Sequence, residues 1–182
     1  KDASKEDLTI TRGHIKSQSI AGLIRRDQSW TWCLDDVNGI AYVRIIQFND
    51  TTPLELINAL KKAEQENRIE GLVIDLRENP GGSLSAAIHI SDMFLESGTI
   101  VTVTSRADPI RSWDADAQQV LQDVPIVVLV NGNSASASEI VSGSLQANNR
   151  VAILGTRTYG KGSVQEVLEL TTGGMLKFTT AR

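Results

Sequence analysis

Two continuous apolar runs, Gly71-Leu72-Val73-Ile74-Asp75-Leu76 and Val124-Pro125-Ile126-Val127-Val128-Leu129-Val130, constrain this chain most, because each leads through a short polar turn into helical periodicity. Short runs of this kind, rich in β-branched residues, are expected of strands buried on both faces of a sheet. The first run leads into Asn79-Pro80-Gly81-Gly82 and a helix predicted from 84 to about 95. The second leads into the serine-rich stretch 131–139, after which Ile140, Val141, Leu145 and Ala147 recur at roughly helical spacing. Strand, turn and helix, twice over, imply βαβ crossovers and an α/β core.

The flanking segments add antiparallel strands. Residues 8–26 alternate loosely and suggest strands, and a turn signal at 35–39 separates 30–34 from 40–46, giving an expected antiparallel pair. Thr52, Pro53 and Glu55 read as an N-cap, a first-turn proline and a capping glutamate, opening a helix that runs to about Asn67. Strands are expected at 99–105 and 150–154, with a hairpin of 164–170 and 175–180 around Thr171-Thr172-Gly173-Gly174. A length of 182 residues suits one well-buried core.

Composition excludes more than it suggests. A net charge of -4 with interspersed acids and bases leaves no basic footprint for nucleic acid. No apolar stretch approaches the roughly 18 residues of a membrane span, so no membrane contact is expected from this domain itself. Cys33 is the single cysteine, so neither a disulfide framework nor a cysteine metal site is expected.

The chemistry-bearing candidates sit at the turns. Ser134, Ser136 and Ser138 lie where a strand gives way to a helix, a place where α/β proteins expose nucleophiles, but Ser136 with Glu139 also fits a capping box. A serine nucleophile needs a base. His89 falls mid-helix, where a half-buried structural role is expected, and His14 has no motif around it. Lysine is the other base used with serine, in the neutral form that desolvation favours. Lys161 lies between Gly160 and Gly162, and Gln165, four residues on, offers an amide oxygen to hold an amine. Gly155 to Lys161 also resembles part of a phosphate-binding loop, but Gly162 stands where that motif needs Ser or Thr, and a strand is expected where it needs a helix. The 79–82 turn could offer N–H groups to an oxyanion or be a tight turn and nothing more. Asp75, Arg77 and Asn79 are read as turn-stabilising partners.

Taken together, Asp75-Leu76-Arg77-Glu78-Asn79-Pro80-Gly81-Gly82, Ser134-Ala135-Ser136-Ala137-Ser138-Glu139-Ile140 and Gly160-Lys161-Gly162-Ser163-Val164-Gln165 resemble the signature blocks of the carboxyl-terminal processing peptidases, or tail-specific proteases. The resemblance covers residues 7–182 with the blocks in family order. It implies a ClpP/crotonase-like α/β core of βαβ units with additional antiparallel strands. By the same resemblance Ser136 is the nucleophile, Lys161 the general base and Gln165 the residue orienting it, with the N–H groups of Gly82 and Ala137 as the oxyanion hole. The implied activity is that of a serine endopeptidase acting near protein C-termini through an acyl-enzyme, without metal or cofactor. The implied partners are protein or peptide substrates with unstructured C-termini; an oligomer is left open. A PDZ domain commonly precedes this core in the family, so residues 1–182 are expected to be a core domain from a longer protein. An extracytoplasmic location, periplasm or cell envelope rather than plastid lumen, is implied as well. The alternatives are a non-catalytic α/β domain that binds peptides or scaffolds an assembly, with the serine acting only as a cap, and, behind it, a nucleotide-binding domain.

Overall fold

The computed structural model describes residues 8–11, 13, 17–27, 29–105, 109–116 and 119–182. His14 lies outside them. In chain order the strands are β1 (Ile20–Ala21), β2 (Ile24–Arg26), β3 (Ser29–Thr31), β4 (Cys33–Asp35) and β5 (Ile40–Ile45), followed by helix α1 (Thr52–Glu66) and β6 (Gly71–Asp75). Helix α2 (Leu84–Asp92), β7 (Thr99–Val103), β8 (Arg111–Asp114) and β9 (Ile126–Val130) come next. The chain continues with α3 (Ala137–Ala147), β10 (Ala152–Gly155), β11 (Val164–Glu169) and β12 (Met175–Ala181).

The principal sheet has the order β1-β5-β6-β9-β10, with β4 also on β5. Strands β5, β6, β9 and β10 are mutually parallel, whereas β1 and β4 run antiparallel to β5. The parallel strands advance in one direction without reversing, so right-handed crossovers place α1, α2 and α3 on the same face. The register bears this out. Ala41, Leu72 and Ile126 are aligned across the sheet, as are Val43, Ile74 and Val128, and all six are buried in one core with Leu56, Leu60, Ile90, Val141 and Leu145 of the helices. The intervening row of Tyr42, Val73 and Val127 faces the other way and is only half-buried. The expectation of strands buried on both faces therefore holds for one face, because no crossover helix among the described residues packs on the second.

Several boundaries differ from the sequence expectation for identifiable reasons. The expected strand 30–34 is two: β3 pairs with β2, and β4 pairs with β5. The break falls at Trp32, whose N–H donates to Glu66 Oε2 on α1 at 2.9 Å and whose side chain is buried. Helix α1 has Thr51, not Thr52, as its N-cap. Helix α2 ends at Asp92 instead of 95; Phe94 and Leu95 continue in turns bonded to Ser91 and Asp92 and still pack into the core. Strand β8, which the sequence did not signal, pairs with β7 outside the principal sheet. The β11–β12 hairpin forms as expected.

Candidate active site

Strands β6, β9 and β10 are adjacent and parallel, so the segments that follow their carboxyl ends must emerge side by side. Those segments are the 79–82 turn, the serine turn and the lysine loop. Hydrogen bonds weld the first two together. The Ser134 hydroxyl donates to Leu76 O at 2.7 Å and accepts the Asn131 N–H at 3.0 Å. The Ser138 hydroxyl donates to Asn79 O at 3.0 Å, and the Ala135 N–H reaches the same carbonyl at 3.0 Å. Ser134 and Ser138 are fully buried. Of the three serines, only Ser136 is left partly open, and it lines a cavity of about 680 Å³.

Ser136 is held at φ +55°, ψ −112° as the N-cap of α3. Such a conformation in a residue other than glycine costs roughly 1–3 kcal/mol and persists only where the surroundings enforce it. Here they do. Its N–H donates to Glu139 Oε2 at 2.8 Å, and its carbonyl accepts from Glu139 N at 2.9 Å and Ile140 N at 3.0 Å. The glutamate half of the expected capping box is thus present.

The 79–82 turn is clamped from within. Asn79 is fully buried; its Nδ2 donates to Ile45 O at 2.8 Å and its Oδ1 accepts the Gly81 N–H at 2.8 Å. Ser83 N donates to Phe48 O at 2.9 Å. Between them the Gly82 N–H has no hydrogen-bond partner among the described residues, and neither has the Ala137 N–H at the first position of α3. Two unsatisfied amide donors on residues lining the same cavity form an arrangement suited to a developing oxyanion, and the helix start adds a favourable dipole. Glycine is required at 81 and 82. Gly81 has φ +100°, and a Cβ there would stand 2.8 Å from Ser136 Cβ; at Gly82, with φ +142°, it would collide with the Phe48 carbonyl oxygen.

The lysine loop, residues 156–163, has no regular structure and folds back across the serine turn, with Thr156 N on Val130 O and Tyr159 N on Ser134 O at 3.2 and 3.0 Å. Lys161 is half-buried and Gln165 is exposed on β11; both line the cavity with Ser136, Ala137 and Gly82. The structure therefore gathers all five sequence-predicted site residues around one space. It does not join the Ser136 hydroxyl, the Lys161 ammonium and the Gln165 amide to one another by hydrogen bonds. A strand follows the lysine loop, which removes the helix a phosphate-binding loop requires.

Other side chains take roles the sequence resolved less well. His89 is exposed on the last turn of α2, with Nδ1 3.5 Å from Ser85 Oγ, and not half-buried as expected, because the buried stripe of α2 runs through Ala86, Ala87 and Ile90. Asp75 is buried and accepts from Tyr42 Oη at 2.7 Å and from Arg77 Nε and Nη2 at 2.9 and 2.7 Å, a turn-stabilising cluster. Burial and the adjoining Asp75 push the Tyr42 phenol up to about 12. The sequence marks Glu139 only as a capping glutamate. It also accepts the N–H groups of Gly160 at 2.6 Å and Lys161 at 2.9 Å, contacts with partners 21 and 22 positions on that no local motif signals. Burial works against its charge, but hydrogen bonds from the Thr158 side chain and the Gly160, Lys161 and Ser136 amides outweigh it and hold the carboxyl below its ordinary range. Among the described residues no group of three or more His, Cys, Asp or Glu is arranged to hold a metal ion, and no helix is long and apolar enough to cross a membrane.

The sequence profile of peptidase family S41 matches residues 39–182. A carboxy-terminal-processing protease of Bartonella bacilliformis is 39% identical over 179 residues, covering 96% of this chain and 38% of that protein. A carboxyl-terminal-processing protease of Picosynechococcus is 40% identical over 151 residues, covering 82% of this chain and 36% of that one. Among solved structures, a photosystem II D1 C-terminal processing protease superposes with a TM-score of 0.69 at 35% identity, over 79% of this chain and 37% of that chain. The chain belongs to peptidase family S41, and its α/β core is the fold of that family. It spans less than two fifths of the length of these relatives.

Proposed function

We propose that this chain is the serine/lysine core of a carboxyl-terminal processing endopeptidase, in which Ser136 is the nucleophile, Lys161 the general base and Gln165 the residue that orients the lysine amine. The observation carrying this reading is the convergence of a strained serine, a lysine and two unpaired amide donors on one cavity. In the proposed reaction, neutral Lys161 Nζ takes the Ser136 Oγ proton as Oγ bonds to the scissile carbonyl carbon. The carbonyl electron pair moves onto oxygen, held by the N–H groups of Gly82 and Ala137. Collapse re-forms the carbonyl and breaks the C–N bond, and the lysine returns its proton to the leaving amine. Water, deprotonated by the same lysine, then attacks the acyl-enzyme, and Ser136 leaves with a proton restored.

The substrates proposed are proteins or peptides with unstructured C-termini. The apolar stretch of cavity wall formed by Ile140, Val101, Val103 and Val164 supports apolar side chains near the cut. The bacterial and chloroplastic processing proteases among the relatives support an extracytoplasmic or plastid-lumen setting, and the bacterial envelope is the one proposed. The test is cleavage of an unstructured peptide with an apolar C-terminus by the full-length protein and its Ser136→Ala, Lys161→Ala and Gln165→Ala variants. Loss of cleavage in the first two, with a smaller loss in the third, is expected. Undiminished cleavage by Ser136→Ala or Lys161→Ala overturns the assignment, and absence of cleavage by the unaltered protein returns the chain to a peptide-binding or scaffold role.

A further inference from the structure

We infer that Glu139 is a positioning residue for the serine/lysine pair, fixing Lys161 relative to Ser136 by gripping the backbone of both; this rests on the roles proposed above for those two residues. A capping glutamate needs a single bond back to the N-cap amide. Glu139 goes further. Oε2 accepts the Ser136 N–H at 2.8 Å and the Lys161 N–H at 2.9 Å, while Oε1 accepts the Gly160 N–H at 2.6 Å. One carboxylate on the helix that carries the nucleophile thus holds the loop that carries the base.

Little else holds that part of the loop. Among the described residues, the bonds to Glu139 are the only backbone N–H hydrogen bonds donated by residues 160–163. Gly160, at φ +88°, lets the chain turn so that two successive amides face the same carboxylate.

The charge is used in a way compatible with a lysine base. A carboxylate paired directly with the ammonium would favour the charged amine and oppose proton acceptance. Here both oxygens are occupied by amide donors, and no carboxylate lies within ion-pair distance of Lys161 among the described residues. Glu139 therefore places the lysine backbone without pairing with its side chain.

Glu139→Gln keeps the size and one acceptor oxygen but presents an NH2 group, which cannot accept, where the second oxygen stood. In the full-length protein this variant is expected to lose about tenfold to a hundredfold in kcat with KM changed less than about twofold, because geometry and not substrate binding is lost. The second readout is the rate at which a serine-directed fluorophosphonate labels Ser136. Glu139→Gln should slow labelling in the unaltered background and add nothing in a Lys161→Ala background, since it acts through the lysine. A kcat within twofold of the unaltered protein overturns the proposal, as does a labelling loss that recurs in full without the lysine. Ser136→Ala and Lys161→Ala, measured alongside, separate the two claims: full cleavage by either defeats the serine/lysine reading itself, whereas their inactivity with a silent Glu139→Gln removes only the role of Glu139.

Discussion

Replacing Gly81 by alanine tests whether the 79–82 turn and the serine turn form one rigid unit. A Cβ at this position would stand 2.7 Å from Ala135 O, 2.8 Å from Ser136 Cβ and 2.9 Å from Ala137 N. None of these is a flexible side-chain end, so relief requires the two turns to separate. The backbone at φ +100° adds a penalty of roughly 1–3 kcal/mol, and overpacking adds about 1–3 kcal/mol, giving a loss of about 2–6 kcal/mol. For a chain of this size, about 2–4 °C per kcal/mol places the fall in Tm at roughly 5–20 °C. Activity should fall further than stability. The displaced atoms are Ser136 itself and the Ala137 amide, and misplacement of about 1 Å at a reacting group costs on the order of a hundredfold. Gly173→Ala, in the β11–β12 turn and away from the cavity lining, is the control, since it carries the same kind of backbone penalty at φ +77° but meets nothing within 4 Å. Calorimetry and peptide-cleavage kinetics on both variants provide the measurement. A Gly81→Ala protein with unchanged Tm and kcat within twofold would refute the reasoning, as would a larger effect from Gly173→Ala.

Three further outcomes are expected. Gly143→Ala, on the exposed face of α3 where a Cβ meets nothing within 4 Å, should stabilise the protein by about 0.5–1 kcal/mol in urea unfolding with kcat unchanged. Ser134→Ala removes the donor to Leu76 O and the acceptor of the Asn131 N–H in a buried setting, and should lower stability by about 1–3 kcal/mol in the same assay. Asp75→Asn addresses pH: burial opposes the Asp75 charge, but the Arg77 side chain, Tyr42 and the Arg77 amide hold its carboxyl below the usual range. A depressed carboxyl contributes stability above the unfolded value of about 3.9 and loses it as pH falls toward the folded value. The variant should therefore be less stable than the unaltered protein by about 1.5–3 kcal/mol at pH 7, a gap that narrows below about pH 4; a gap independent of pH would contradict this.

What the sequence disclosed follows from how local each signal is. The apolar runs of β6 and β9 and the small residues after them located two of the three turns that build the cavity, because run length and turn chemistry are short-range properties. The β11–β12 hairpin was legible for the same reason. Strand β8 was not: Arg111-Ser112-Trp113-Asp114 has no apolar stripe and is ordered by its ladder with β7. The division at Trp32 depends on Glu66, a side chain supplied by a helix 34 positions away. Helix placement on a single sheet face depends on strand order, which no individual segment encodes. At the site, residue types were legible, but the exclusion of Ser134 and Ser138 became physical only when both proved buried and bonded to Leu76 and Asn79. The second use of Glu139 was hidden because its partners lie on a different segment.

Whether Ser136 is the nucleophile and Lys161 its base is read out by reacting the full-length protein with a serine-directed fluorophosphonate and locating the adduct by peptide mass spectrometry. A single adduct on Ser136 is expected, nearly lost in Lys161→Ala, with the buried Ser134 and Ser138 unmodified. An adduct on Ser134 or Ser138, or labelling of Ser136 at an unchanged rate without Lys161, would contradict these roles.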